Sequence, residues 1–428
     1  MLIKNFKELA KSQDKQTVLR ILDTGLQAGL PKNRIRKFVH NDKLSFGKHV
    51  KSLLQYDHIF LVAFGKAADS MACEVDSLIR TRGGIIVIPK EYSSVLKKRK
   101  FKVIHSGHPI PNKNSIIAAN QIIKFLHKRK KYDLIIFLVS GGASSLVSLP
   151  DGITLGEKQT VIDMLIKCGA SIEEINCIRK HLSKIKGGRL MEHLKCDAIS
   201  LVMSDVVKDD ITTIASGITS FDRTTFADAE KILKQYNLWN LVPTNVRKRI
   251  CIGTAKKIPE TPKREKIKNY IIASNMNCLI AMGKIAKSFG LNPKTVYPIS
   301  GDVKQNAKNL VNLIINAKHN SCVVFGGEPT VTVKGNGKGG RNQELVLYIL
   351  KNIQDVQQKV IVASIGTDGK DGNTNACGAI LDETTNVITA KKFLIRNDSY
   401  NFLKKKNGLI FTGPTHTNLM DIGILLKR

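Results

Sequence analysis

Arg341 closes a run of glycines, Gly335-Asn-Gly337-Lys-Gly339-Gly340-Arg341-Asn-Gln-Glu344, and stands where an apolar-periodic helix opens. Glycines let backbone N–H groups converge, a helix start adds partial positive charge, and a guanidinium offers a planar fork of donors suited to phosphoryl oxygens. The plain alternative is a strand-to-helix loop that happens to be rich in glycine. Polar turns of the same form elsewhere in the chain tip the balance towards chemistry. Lys66, in Phe64-Gly-Lys66-Ala-Ala, follows an apolar run, and Ser140-Gly141-Gly142-Ala-Ser144-Ser145 follows another. Asp205 follows a third, and Asp368, in Gly366-Thr-Asp368-Gly-Lys-Asp371-Gly, a fourth. In open parallel sheets ligands bind beyond the carboxyl ends of strands, where all four positions fall.

Each has a bland reading beside the chemical one. Lys66 could reach a phosphate, although most lysines in so basic a chain are solvated surface. The serine and double-glycine turn is an anion nest or a helix cap, and a cap alone does not explain two glycines. Asp205, Asp209, Asp210, Asp368 and Asp371 are hard oxygen ligands in strand-end loops. Mg²⁺ takes only one or two protein carboxylates beside phosphate oxygens, so most of the five are caps, turn formers or ion-pair partners. Asp205 and Asp368 are the metal candidates because each comes first after its strand. His108, in Gly107-His108-Pro-Ile-Pro111, is a candidate substrate ligand or general base, although a histidine between turn prolines is more often structural. The spacing Gly335-x-Gly337-x-x-Gly340 also spells a dinucleotide fingerprint, but the acidic residue that should end the next strand comes late and Arg341 would crowd a pyrophosphate.

The elements that must position these groups are legible from periodicity. Apolar runs at 59–64, 84–88, 134–139 and 198–203 lack in/out alternation and are separated by helical patterns, which predicts a parallel sheet covered on both faces. Strands at 270–273, 295–297, 322–325 and 360–365, with helices between them, predict a second α/β unit. The Pro-, Lys- and Thr-rich stretch 240–268 reads as the seam. The expectation is therefore a doubly wound, mostly parallel α/β domain at 1–240 and a smaller α/β domain at 241–428, and 428 residues suffice for two such cores.

Composition bounds the setting. The chain is 42% hydrophobic, but its longest apolar runs are strand-sized, so no bilayer span is expected. The first residues carry no signal h-region, and a cytoplasmic location is expected. Eight cysteines without a CxxC pair suit reduced structural thiols. The net charge of +33 raises nucleic-acid binding. The cations are dispersed, however, with short runs only at 97–100, 128–131 and 404–406, and aromatics for base stacking are few. Weak, salt-sensitive binding is the expectation, together with steering of small anions.

Taken in order, the motifs resemble the two-domain glycerate 2-kinases, the family whose C-terminal part is called the MOFRL domain. The resemblance runs through Val62-Ala-Phe-Gly-Lys66-Ala-Ala, Gly107-His-Pro-Ile-Pro, Leu138-Val-Ser-Gly-Gly-Ala-Ser-Ser-Leu, and Asn176-Cys-Ile-Arg179 on to Arg189. It continues through Ser204-Asp-Val-Val, Gly326-Gly-Glu328, the turn ending at Arg341, Gly366-Thr-Asp-Gly-Lys-Asp-Gly and Gly413-Pro-Thr-His-Thr-Asn418. It implies a Rossmann-like glycerate kinase N-terminal domain, a MOFRL region at about 320–425, and an active site in the interdomain cleft. There ATP would phosphorylate D-glycerate to 2-phosphoglycerate with Mg²⁺, for which Mn²⁺ could substitute. Lys66 and Arg341 would be the catalytic cations. Ser140, Gly141, Gly142, Ser144, Ser145, Gly337, Gly339, Gly340, Asn275 and Glu328 would hold ATP or phosphate. Arg179, Lys186 and His108 would hold the acid, and Asp205 and Asp368 the metal. A monomer or homodimer is expected, with no membrane or specific nucleic-acid partner. The alternatives are a hydroxypyruvate or tartronate reductase and a nucleic-acid-binding protein. The chain departs from the family pattern at Lys208 and His416, where glycines are usual, and at Ile218 and Pro329, which replace Pro and Thr.

Overall fold

Fully buried apolar runs become central strands because a backbone removed from water must pair its N–H and C=O groups laterally. The computed structural model describes residues 1–96, 99–353 and 358–428; Lys97 and Lys98 of the first basic run lie outside them. The chain divides into two compact units, Ile35–Ile272 and a second made of Met1–Arg34 with Ala273–Arg428.

In the first unit, a small antiparallel sheet of β1 (Val39–His40), β2 (Lys43–Phe46) and β3 (His49–Ser52) accompanies a six-stranded one. The latter comprises β4 (His58–Phe64), β5 (Gly83–Pro89), β6 (Phe101–Ser106), β7 (Asp133–Val139), β8 (Asp197–Met203) and β9 (Lys268–Ala273), in the order β6-β5-β4-β7-β8-β9. The ladders from β6 through β8 are parallel, and β5 and β7 are buried along their whole length. Strand order runs one way from β4 and the other way from β7, so the switch point lies between these two neighbours, where Phe64 pairs with Val139. Phe64, Phe137, Val62 and Ile135 pack with Ala118 and Ile122 of the helix Lys113–His127 beneath it. A separate cluster joins the helices Leu155–Lys167, Ile172–His181, Phe226–Gln235 and Thr244–Thr254.

The second unit carries β10 (Asn292–Asp302), β11 (Ser321–Thr330), β12 (Val360–Gly366), β13 (Gly378–Asp382), β14 (Leu409–Ile410) and β15 (Asp421–Lys427), in the order β10-β11-β15-β12-β13-β14. This sheet is mixed. β10 and β11 are parallel, whereas β15 inserts antiparallel between β11 and β12. Phe325 and Ser364 thereby both face Gly423 in register.

Two features differ from the sequence reading. The N-terminal helices belong with the C-terminal unit: Gln13–Ala28 packs on the helix Asn275–Ser288, Arg428 Nε bonds Asp14 at 2.6 Å, and Asn5 Nδ2 donates to the Leu409 carbonyl at 2.9 Å. The division falls after Ile272 rather than near 240, because Thr244–Thr254 buries Val246 and Ile250 in the helical cluster and β9 completes the first sheet. Two apolar positions one turn apart are too short a stripe to stand out in a lysine-rich segment.

Candidate active site

In the first unit the site grows from the switch point. Gly65 takes φ 132° and lets the chain pass so close to Ser140 that a β-carbon would lie 2.1 Å from its Oγ. That oxygen accepts from the Ala67 N–H at 3.0 Å, and the Lys66 N–H donates to the Gly141 carbonyl at 2.9 Å. The turns after β4 and β7 are therefore one structure. Ser140 is fully buried, and its hydroxyl is engaged in holding the Lys66 turn. Gly142 opens the short helix Ala143–Leu146 in a left-handed conformation, φ 82°. A β-carbon there would come within 2.9 Å of His108 Nε2 and 3.5 Å of Lys66 Cγ, so His108, Lys66 and the double glycine share one small space.

Ser144, Arg179 and Lys186 gather around Asn176 and residues 215–216. Ser144 Oγ lies 2.9 Å from Ser216 Oγ, which donates to Asn176 Oδ1 at 3.0 Å, and Arg179 Nη1 reaches the same oxygen at 3.4 Å. Ser145 Oγ is turned back onto the Gly142 carbonyl at 3.0 Å. Lys186 Nζ donates to the Ala215 carbonyl at 3.2 Å. Ala215, Ser216 and Gly217 are successive left-handed residues, φ 54°, 56° and 63°, a strained path costly for the first two and of the kind found at ligand sites. The helix bearing Asn176 and Arg179 starts at a capping box, with the Glu174 N–H on Ser171 Oγ at 3.3 Å and Ser171 N–H on Glu174 Oε2 at 2.8 Å. Burial lowers the Arg179 guanidinium. Asp205 follows β8, half-buried. Three residues on, Lys208 stands left-handed at φ 66°, and in the second unit His416 does the same at φ 54°. Both sites where this chain lacks the family's glycine are thus ones where glycine is favoured.

In the second unit Arg341 is the first residue of the helix Arg341–Ile353. Its Nε and Nη2 bond the two oxygens of Asp421 at 2.5 and 3.1 Å, and Nη1 bonds Glu328 Oε1 at 2.7 Å. Burial pulls this guanidinium down, but the Asp421 and Glu328 carboxylates outweigh it and hold it above its ordinary value. Burial raises Asp421, and Arg341 opposes the rise; the two-point geometry is that of the ionised pair. Asp421 is the residue the motif reading missed, at the start of a strand with no local signature. Glu328 braces Arg341 from the other side.

The glycine turn does not present the row of N–H groups expected of it. Gly335 and Lys334 N–H donate to Asn397 Oδ1 at 3.0 and 2.8 Å, Gly337 N–H to the Arg396 carbonyl at 2.9 Å, Lys338 N–H to Asp398 Oδ1 at 3.0 Å and Gly339 N–H to Asn373 Oδ1 at 2.9 Å. Gly337 and Gly339 are needed because residues 396–399 press against them, at 2.4 Å from a β-carbon on Gly337 and 2.2 Å from one on Gly339. Gly340 has Asp371 beneath it, and that buried carboxylate caps the helix, accepting from the Asn342 and Gln343 N–H groups at 3.1 and 3.0 Å. The same spent N–H groups, and β15 lying between β11 and β12, remove the dinucleotide fingerprint. Asn275 is fully buried and its amide nitrogen donates to the Leu419 and Asp421 carbonyls at 2.7 and 2.8 Å, which pins the start of β15.

Asp368, half-buried, accepts from the Lys370 N–H at 3.0 Å. Its Oδ1 and that of Asp421 border Gly366, 3.4 and 3.5 Å from where a β-carbon would stand. Among the described residues no group of three or more His, Cys, Asp or Glu could hold a metal. Any metal would rest on one or two carboxylates and on ligand oxygens, as Mg²⁺ does; Asp205 in the first unit and Asp368 in the second are each a half-buried carboxylate beyond a strand end.

An α/β fold whose strand-end turns carry a lysine, a carboxylate-braced arginine and isolated aspartates has the equipment of a phosphotransferase, in which positioning and charge neutralisation do the work. Residues 17–251 match the domain of unknown function DUF4147, and residues 321–421 match the MOFRL family. A glycerate 2-kinase of Pyrococcus horikoshii is 38% identical over 86% of this chain and 87% of its own, and a D-glycerate 2-kinase of Thermotoga maritima is 35% identical over 86% and 90%. The crystal structure of the Thermotoga maritima glycerate kinase superposes with a TM-score of 0.83 at 33% identity, covering 96% of this chain and 98% of that one. The chain belongs to the glycerate 2-kinase family.

Proposed function

We propose that this protein transfers the γ-phosphoryl group of ATP to the 2-hydroxyl of D-glycerate, yielding 2-phosphoglycerate. The observation that carries the reading is Arg341: a guanidinium at a helix start, locked by Asp421 and Glu328, with three of its five N–H groups committed and the fork still cationic. Such a preorganised cation neutralises charge developing on a phosphoryl group without reorganising during the reaction. Lys66, fixed by Ser140 and Gly141, supplies the second cation. The Gly340 N–H and the partly exposed Gly142 and Ser144 are the phosphate contacts. His108 and the network of Asn176, Arg179 and Lys186 receive the acid. Mg²⁺ would supply charge to the ATP phosphates, with Asp205 in the first unit and Asp368 in the second as the carboxylates that could each hold it. No helix among the described residues is long and apolar enough to cross a membrane, and we place the enzyme in the cytoplasm.

The test is ADP release from ATP with D-glycerate, L-glycerate, glycolate or hydroxypyruvate as acceptor, with the product identified by phosphorus NMR. D-glycerate should be preferred and should yield the 2-phosphate. Absence of acceptor-dependent ADP release, or oxidation of reduced nicotinamide by hydroxypyruvate without ATP, would overturn it.

A further inference from the structure

Lys158 lies outside every motif discussed above, on the helix Leu155–Lys167, and it is only 5% exposed. Its Nζ donates to Ser148 Oγ at 3.3 Å. Ser148 sits where residues 149–150 pair with 183–184: Pro150 bridges Ser183, and the Lys184 N–H donates to the Leu149 carbonyl at 2.9 Å. The same turn carries Lys186, 1% exposed, whose Nζ reaches the Ala215 carbonyl. The Gly187 N–H then bonds Ser216, the residue joined through Asn176 to Arg179. Ser148 and the paired backbone of 149–150 and 183–184 thus join Lys158 to the turn that carries Lys186, and residues 215–216 join Lys186 to Asn176 and Arg179. Among the described residues, the partners recorded for these three cations are a hydroxyl, a backbone carbonyl and an amide oxygen, and no ion pair to a carboxylate is formed by any of them.

A buried cation without a counter-charge is costly, and three together repel one another; such groups either shed a proton or take their missing charge from a ligand, and an anion entering here would favour the protonated forms. Burial, then Arg179, lowers Lys158 to about 7, and burial, then Lys158 and Arg179, holds Lys186 well below its ordinary value.

We propose that Lys158, Lys186 and Arg179 form a preformed pocket for the carboxylate of the small acid substrate, and that Lys158 is a direct substrate-binding residue. This rests on the kinase reading for the identity of the acid. Three donors of different reach, backed by Ser148, Asn176 and the strained 215–217 path, would grip a planar carboxylate and reject neutral polyols of the same size.

The test is Lys158→Met, with Lys158→Gln as a second variant should the first yield no soluble protein. KM for D-glycerate should rise at least tenfold while KM for ATP stays within twofold. The ligand-free variant should melt no lower than wild type, since it loses an unneutralised buried charge. A lysine of purely structural role would do the reverse, lowering Tm and leaving KM for glycerate in place. Unchanged KM for glycerate, an equal rise for ATP, or a Tm several degrees lower would each overturn the proposal. Thermal shift separates its failure from that of the kinase reading. If wild type turned over no D-glycerate, the kinase reading would fall, yet D-glycerate or the dicarboxylate tartronate should still raise wild-type Tm and not that of Lys158→Met. No rise in wild type with either acid would overturn the pocket itself.

Discussion

Arg341 and Asp421, eighty residues apart in sequence, meet through both carboxylate oxygens, at 2.5 and 3.1 Å, where the helix Arg341–Ile353 begins and β15 begins. The pair makes a flexible cation into a fixed one. Asp421→Asn should cost roughly 1–3 kcal/mol of stability, less than a fully dry pair because the Arg341 side chain keeps a third of its surface in water. It should also lower kcat by about tenfold to a hundredfold as the fork loses its brace. Thermal denaturation and steady-state kinetics on the same preparation check both.

Lys66→Ala and Arg341→Ala should each reduce kcat on the order of 10² to 10³, with smaller changes in KM for glycerate, the usual pattern for charge donors acting in the transition state. Arg341→Lys should be nearly as damaging as Arg341→Ala, because an ammonium cannot bond both Asp421 oxygens and Glu328 in one plane. Near-normal turnover in a folded alanine variant would remove that residue from the mechanism.

Activity should vanish in chelator and return with Mg²⁺ or Mn²⁺, and Asp368→Asn should raise the concentration of metal giving half-maximal rate. Asp371→Asn should instead act through stability, since Asp371 caps a helix and is buried beneath Gly340. Chelator-resistant turnover would discard the metal assignment.

Lys158 gives a pH signature. Its pKa falls from 10.5 to about 7 on folding, so between these values the unfolded chain binds more protons than the folded one, and stability rises with pH across that window. Lys158→Met removes this contribution. The Tm advantage of the ligand-free variant over wild type should be largest at or below about pH 7 and shrink as pH climbs towards 10. Lys186 shifts in the same direction and persists in the variant, so the difference between the two proteins is the quantity to follow. A Tm difference independent of pH would show that Lys158 titrates normally.

Lys208→Gly should stabilise the protein by about 0.5–1 kcal/mol, because the left-handed conformation at φ 66° costs an L-residue roughly 1–2 kcal/mol and glycine's extra unfolded-state freedom offsets only part of the relief. A small rise in Tm with unchanged kinetics is the expected result. A fall would mean that the Lys208 side chain makes a contact worth more than the strain.

Local chemistry made a good part of this protein legible from sequence. Unbroken apolar runs announced β4, β5, β7 and β8, and the turns after β4, β7 and β8 carry Lys66, Ser140 and Asp205, the residues from which the site is proposed. Other facts depended on long-range pairing, which local pattern does not encode. The residues 396–399 that take up the N–H groups of the glycine turn lie some sixty positions downstream, so a tight packing loop and an anion nest read alike in sequence. Asp421 begins a short strand whose significance appears only once it inserts antiparallel between β11 and β12. Lys158, one lysine among many on an amphipathic helix, differs from a solvated one only because residues 148–150 and 183–186 close over it. Sequence set which groups were available, and tertiary structure decided which of them lost their water.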